Sequence, residues 1–377
     1  MIKKILKKTL LYSSVLIVLL VIFYFLFTTF YPSFGGDVSE ERQLNYTSSQ
    51  QFKTGQFHNT RDVPKKMSFS DLMGIAYKFF TTSTPNGRPK ANLAVNHIDS
   101  IEIANYVGEA RLVWFGHSSF LFQLDGKNIL IDPMFGMVAA PHPWLGANRF
   151  NKEMSISITQ LPIIDAVIFS HDHYDHLDYE TVLQLRDKTN HFYVPLGVGV
   201  HLEEWEIGSD KITELDWWEE VKFESLTFIC TPSQHFSGRK LSNNQSTLWA
   251  SWIIQSSDAN IFFSGDSGYS PHFKEIGEKY GPFDIALMEC GQYNENWPDV
   301  HMLPEETAQA GLEVKADKIM AIHWAGFQLA MHSWTEPITR LRTKAAELNI
   351  PVITPEIGQL FNVKDSTNNY EIWWEGL

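Results

Sequence analysis

Ser170-His171-Asp172-His173-Tyr174-Asp175-His176-Leu177-Asp178 places three histidines and two aspartates within the six residues from His171 to His176. The preceding run, Ala166-Val167-Ile168-Phe169, is wholly apolar and reads as a buried strand, so the polar cluster falls where a strand ends. Neutral imidazoles and carboxylates are ligands for zinc and related first-row ions, and a loop fixed at a strand end can aim several of them at one point. A histidine-rich loop without metal is the bland alternative. Histidines at this density are poor core material, however, and form no obvious solvated face.

The same arrangement recurs further along the chain. Phe228-Ile229-Cys230-Thr231-Pro232 leads into Ser233-Gln234-His235, Ile261-Phe262-Phe263-Ser264 into Gly265-Asp266, and Ile319-Met320-Ala321-Ile322 into His323. A lone histidine after a strand is usually structural, but four apolar runs that each deliver a ligand type at the carboxyl end argue for one metal centre. Upstream, Leu112-Val113-Trp114-Phe115 enters a Gly116-His117-Ser118-Ser119 turn and Phe120 to Gln123 leaves it. Asp125-Gly126 is a hairpin signal, and Asn128-Ile129-Leu130-Ile131 ends at Asp132-Pro133. His117 is as compatible with a structural role as with an active one. His58, His97, His142, His191, His201 and His272 carry no motif and read as ordinary.

With 377 residues, 44% of them hydrophobic and 14% aromatic, the chain is ample for a packed core. A net charge of −14 argues against a nucleic-acid partner. Cys230 and Cys290 both fall in apolar runs and read as small buried hydrophobes, not a disulfide framework. Residues 10–31 are uncharged and long enough to span a bilayer, with Lys3, Lys4, Lys7 and Lys8 before them. The apolar run exceeds a usual signal-peptide core and no small-x-small site follows, which favours an uncleaved signal anchor. Residues 1–9 are then a cytoplasmic basic tail and the body lies on the extracytoplasmic side. Tyr24, Phe25, Phe27, Phe30 and Tyr31 read as interfacial rings, and Pro32-Ser33-Phe34-Gly35-Gly36 as the end of the helix. Helical spacing of apolar residues recurs from Ser70 to Phe80.

His171-x-His173-x-Asp175-His176 resembles the signature of the metallo-β-lactamase superfamily. Membership implies an α/β fold, an αββα sandwich, here preceded by one transmembrane helix. Carried over by position, the resemblance implies that His171, His173 and His235 hold one metal, that Asp175, His176 and His323 hold the other, and that Asp266 bridges them. It implies two zinc ions, with iron or manganese an alternative at the second site. Asp132 is implied to hydrogen-bond a ligand. Pro232-Ser233-Gln234-His235-Phe236-Ser237-Gly238-Arg239, Gly265-Asp266-Ser267-Gly268-Tyr269, His301-Met302-Leu303-Pro304-Glu305-Glu306 and Ile322-His323-Trp324 are similar to elements of the N-acylphosphatidylethanolamine-hydrolysing phospholipase D subgroup. Phe34-Gly35-Gly36 and Phe52-x-x-Gly55-x-Phe57-His58-Asn59 resemble its amino-terminal region. The chain departs from the subgroup at Ala325-Gly326, where Gly-Thr is usual, and at His332, where the animal enzymes carry an acid.

The expected organisation is therefore an extension over residues 32–100 packed on a catalytic domain over residues 101–377. Val352-Ile353-Thr354-Pro355 and Gln359-Leu360-Phe361 are expected to close the second sheet. The resemblance implies metal-assisted hydrolysis of a phosphodiester, with phosphatidic acid and an N-acylethanolamine as products and a membrane phospholipid as substrate. Asp175, Asp266 and His301 are the catalytic candidates, and Tyr269, His301 and His332 the substrate contacts. Trp144, Trp324, Phe327 and Trp334, close to the motif loops, add to the lipid reading, and relatives imply a homodimer. The alternatives are a lactonase or amide hydrolase of a small substrate, which shares the ligand set, and a non-catalytic metal-binding membrane protein.

Overall fold

The computed structural model describes residues 2–61, 69–365 and 370–377. After the amino-terminal helix Ile2–Phe30 and a small hairpin of β1 (Phe52–Lys53) and β2 (Gln56–Phe57), the chain builds two seven-stranded sheets. The first comprises β3 (Arg111–Trp114), β4 (Phe120–Leu124), β5 (Lys127–Ile131), β6 (Ile164–Ile168), β7 (Thr189–Pro195) and β8 (Ile212–Leu215). The second comprises β9 (Glu220–Phe223), β10 (Leu226–Thr231), β11 (Ser251–Gln255), β12 (Asn260–Phe263), β13 (Ile285–Glu289), β14 (Ile319–Ile322) and β15 (Val352–Ile353). The last strand, β16 (Leu360–Asn362), pairs antiparallel with β3 and so joins the first sheet. Only Val352-Ile353 extends the second sheet as expected; the turn at Gly358 (φ +83°) sends the chain back across the sandwich.

Each sheet runs from an antiparallel half into a parallel half: β3, β4 and β5 are antiparallel neighbours, and β5 to β8 are parallel. Likewise β9 to β12 are antiparallel and β12 to β15 parallel. The strands are buried on both faces, which accounts for their near-continuous apolar runs. Alternate residues divide the work. Leu112, Trp114, Phe120, Phe122, Ile129 and Ile131 meet the other sheet in the main core, whereas Val113, Leu121 and Leu130 pack in a second cluster with Val182 and Leu185 of the helix Tyr179–Leu185. Asp125 (φ +50°) and Gly126 (φ +73°) form the left-handed two-residue turn expected of Asp-Gly between β4 and β5. Cys230 and Cys290 are free and buried, as their apolar settings imply.

Trp324, Phe327 and Trp334 are buried: Trp324 stacks on Trp114 and Trp373, and Trp334 lies against Phe150. These rings serve the core and not a substrate surface; of the four, Trp144 alone is exposed, at 90%. The apolar helix begins at Ile2, so the lysines lie within its first turns, and it ends at Phe30, where Pro32–Phe34 forms a single 3-10 turn. At 29 residues it is long and apolar enough to cross a membrane. The helix Phe69–Thr81 matches the periodicity seen from Ser70 to Phe80.

Candidate metal centre

β3, β5, β6, β10, β12, β13 and β14 all run in the same direction within their sheets, so their carboxyl ends meet along one edge of the sandwich. Each strand is followed there by a polar group: His117, Asp132, the His171–His176 loop, His235, Asp266, Glu289 and His323. Several of these positions are bent into the left-handed region, namely His117 (φ +54°), Asp132 (φ +41°) and His323 (φ +63°). Side chains with a Cβ reach it at a cost of about 1–3 kcal/mol, and such strain concentrates at functional sites. At Gly265 (φ +55°) a Cβ would lie 2.6 Å from the carbonyl of Ala250, so glycine alone fits the turn that presents Asp266.

The seven expected ligands converge as two groups joined by one carboxylate. His173 Nδ1 lies 2.9 Å from His171 Nε2 and 3.1 Å from His235 Nε2. Asp175 Oδ2 lies 3.0 Å from His323 Nε2 and 3.5 Å from His176 Nε2. Asp266 Oδ2 is 3.2 Å from both His176 and His323, and 3.8 Å from both His171 and His235. Both groups could hold a metal ion. Donors at 2.0–2.1 Å in a tetrahedral shell sit about 3.3 Å apart, within the observed spread. The three ring nitrogens have at most one proton on His173 Nδ1 to share between two acceptors, and His176 Nε2 and Asp266 Oδ1 are buried without a hydrogen-bond partner. A cation satisfies such a set.

Electrostatics separates the groups. Burial, reinforced by neighbouring imidazoles, holds His171 and His235 well below the usual histidine range, and burial also lowers His173, so that all three present neutral nitrogens. His176 and His323 go the other way: burial opposes protonation, but Asp266 and Asp175 raise His176 well above that range and His323 to about 10. Against burial, His176 and its neighbours in turn hold Asp175 and Asp266 well below the ordinary carboxylate range. The second group is thus a pair of buried carboxylates balanced by imidazole protons, which a cation replaces when ligands bind in deprotonated form.

Supporting groups fix the rings. Asp132 Oδ2 takes His176 Nδ1 at 2.7 Å while the Ser170 amide donates to Oδ1, which fixes the His176 ring. His235 Nδ1 faces the Val300 carbonyl at 3.0 Å, which turns Nε2 toward the cluster. Within the metal loop itself, Asp172 accepts from the Gly238 amide and Thr247 hydroxyl and faces His201, a histidine without a motif. Arg239, stacked on Tyr174, donates to the carbonyls of Ser33, Asp172 and Leu177, tying the segment after the apolar helix to the loop.

One group was left open by the sequence reading and two escaped it. His117 Nε2 lies 2.9 Å from Asp175 Oδ2, and burial drives its pKa down to about 3. Its place after β3 is the same strand-end signal as the others. Glu289, wholly buried, takes the Met302 amide at 2.9 Å and His301 Nδ1 at 3.2 Å, and lies 3.6 Å from His323 Nδ1. Its signal was a charge closing the apolar run Ile285–Met288. Asn59 bonds to both backbone groups of His235, and its only signal was the Phe57-His58-Asn59 resemblance.

Of the expected substrate contacts, His301 stacks over His323 at 5.2 Å and groups with Asp266. Tyr269 turns away, its hydroxyl donating to Glu313 at 2.6 Å. His332 requires correction: Nε2 accepts from the Gln292 amide at 3.0 Å and Nδ1 faces the Ser333 carbonyl at 2.9 Å. With both nitrogens engaged and the ring stacked on Tyr293, His332 fixes a loop and has no nitrogen left for phosphate. Of the Ala325-Gly326 departure, only the second position has a local reason. Ala325 takes φ +56°, where glycine is easier, while a Cβ on Gly326 would fall 2.6 Å from His117 Cβ.

Residues 127–324 match the family model described as the beta-lactamase superfamily domain. The chain belongs to the metallo-β-lactamase superfamily. Within it, the uncharacterized protein Rv0906 of Mycobacterium tuberculosis is 42% identical over 267 residues, 69% of this chain and 70% of that one. N-acyl-phosphatidylethanolamine-hydrolyzing phospholipase D 1 of Caenorhabditis elegans is 30% identical over 272 residues, 67% of this chain and 75% of that one. Among solved structures, the metallo hydrolase Igni18 of Ignicoccus hospitalis superposes with a TM-score of 0.51 at 20% identity, over 67% of this chain and 98% of that one. This superfamily member is accordingly a metal-dependent hydrolase with two sheets and an amino-terminal candidate membrane span.

Proposed function

We propose that this superfamily member is a membrane-anchored phosphodiesterase of the phospholipase D type, cleaving N-acylphosphatidylethanolamine-like lipids to phosphatidic acid and N-acylethanolamine. The observation that carries the reading is the cavity of about 740 Å³ that has His235 in its lining and Phe236, Leu241 and Trp297 among its walls. Apolar walls of that size beside a charged cluster suit a substrate with a chain and an anionic head. The phospholipase D relatives point the same way.

In this reading His171, His173 and His235 would hold one zinc ion and Asp175, His176 and His323 a second, with Asp266 within reach of both groups. When bound, such ions lower the pKa of water and neutralise charge growing on phosphoryl oxygens. Asp175 and Asp266 orient the attacking water by accepting its hydrogen bonds. The new bond joins water oxygen to phosphorus, and the bond to the ethanolamine oxygen breaks. His301, with Nδ1–H donated to Glu289, has Nε2 free to take the proton that the attacking water gives up and return it to the departing oxygen. The helix spans the bilayer with its lysines in the cytoplasm, and residues 32–100 serve as an extension of the catalytic domain 101–377.

The test is the full chain, zinc-loaded in mixed micelles, with N-acylphosphatidylethanolamine as substrate. Release of N-acylethanolamine that Asp266→Asn abolishes is the expected result. Metal-loaded protein that opens a lactone but leaves this lipid intact overturns the substrate.

A further inference from the structure

The apolar helix is not uniformly exposed. Residues 2–23 are exposed throughout, whereas Tyr24, Phe27, Thr28 and Tyr31 form one stripe turned against the domain. That spacing of three and four residues is a single helix face. Phe27 meets Phe34 at 5.2 Å, Tyr31 meets His142 at 5.3 Å, and the Leu241 amide donates to the Tyr24 hydroxyl at 3.3 Å. Tyr24 and Thr28 of this stripe line the same cavity that reaches His235.

Depth follows from helix geometry. Tyr24 stands six residues before Phe30, about 9 Å along the axis. A hydrocarbon core of about 30 Å takes about 20 residues, which here is nearly all of Leu10–Phe30. With the helix across the bilayer, Tyr24 therefore lies inside one leaflet and not above it. Exposed apolar side chains stand beside the buried stripe: Leu241, 81% exposed, follows the amide contact to Tyr24, and Trp144, 90% exposed and followed by Leu145 at 62%, packs on His142, which meets Phe27 and Tyr31. They suit a lipid boundary, where indole rings in particular are favoured.

We infer that the membrane helix is itself a wall of the substrate cavity, and that the cavity is a lateral port into the leaflet. An acyl chain enters between the Tyr24–Thr28 face and the Phe236–Leu241 loop, bringing the lipid head to His235 while the lipid stays in the bilayer. Trp144, Leu145 and Leu241 seat this face in the lipid. The inference rests on the lipid reading above for the identity of the head group, and on the geometry alone for the route.

The test reconstitutes the full chain in phosphatidylcholine vesicles doped with an N-acylphosphatidylethanolamine carrying a diazirine on its N-acyl chain. Irradiation and peptide mapping are expected to place label on Phe236–Leu241 and on the segment holding Trp297. Thr28→Trp, which fills the port, is expected to cut that label about tenfold, while Thr28→Ser retains it and label on outward-facing Leu16 is unchanged. Label confined to the outward face of the helix overturns the port. Released N-acylethanolamine is measured on the same samples. Cavity label without release supports the port and sinks the phospholipase D reading; release without cavity label overturns the port alone.

Discussion

Asn59 grips the backbone of His235 from both sides: its Nδ2 donates to the His235 carbonyl at 2.8 Å, and its Oδ1 accepts from the His235 amide at 3.1 Å. Oδ1 also takes the Trp249 indole N–H at 2.9 Å. A residue far upstream of the sandwich thereby sets the angle at which His235 enters the cluster.

Asn59→Ala is expected to lower metal affinity about 10–100-fold, the usual effect of removing a group that orients a ligand. Competition with a chromogenic chelator reads it directly. Asn59→Asp, which keeps the acceptor and loses the donor, should fall between the two. Unchanged affinity in Asn59→Ala would remove the residue from the site.

Gly326 and Ala325 should respond in opposite directions. Gly326→Ala pushes a methyl group to within 2.6 Å of His117 Cβ and is expected to cost about 1–3 kcal/mol, as overpacking does. Ala325→Gly relieves a left-handed alanine at φ +56° and should be neutral or stabilising by up to about 1 kcal/mol. Urea midpoints of the two variants check the pair. Loss of stability in both would mean that the φ argument at Ala325 is wrong.

Much of this architecture could be read because the strands are buried on both faces and end abruptly in ligand-type residues. Phe228 to His235 and Ile319 to His323 announce themselves in that way. What could not be read depends on contacts distant in the chain. β16 joins β3 through a turn at Gly358, and nothing in Gln359-Leu360-Phe361 says which sheet it prefers. His332 looked available because its two partners, Gln292 and Ser333, are a backbone amide and a backbone carbonyl, which no motif displays. Trp324 and Trp334 sat beside motif loops in sequence but point into the core, where they pack with Trp114 and Phe150.

His272, whose Nε2 faces the Ser267 hydroxyl at 3.3 Å, offers a pH test outside the ligand set. Burial pushes its pKa from 6.5 to about 3, and the ring packs on Phe273 at 4.0 Å. Between those two values the unfolded chain binds the proton and the folded chain does not, so stability is full above 6.5 and falls as pH drops toward 3. His272→Gln should flatten the fall of the denaturation midpoint across that window by about one proton per molecule. Parallel curves for the two proteins would show that His272 does not titrate in this way.

Glu289 divides positioning from metal holding. Its carboxylate takes His301 Nδ1 at 3.2 Å, the Gly291 amide at 3.2 Å and the Met302 amide at 2.9 Å. Glu289→Gln keeps the volume and one carbonyl acceptor, so the fold should survive, but the amide cannot fix the His301 ring by accepting at every position. The expected outcome is a fall in kcat of about 10²–10³, within the range for a misplaced proton donor, with metal content unchanged. The split matters because Glu289 also lies 3.6 Å from His323 Nδ1. If its main task were to hold His323, metal content would drop with the rate, and added zinc would restore part of both. Metal analysis beside steady-state kinetics on the same preparation separates the two roles. A variant with full metal, an altered pH–rate profile and no zinc rescue assigns Glu289 to His301.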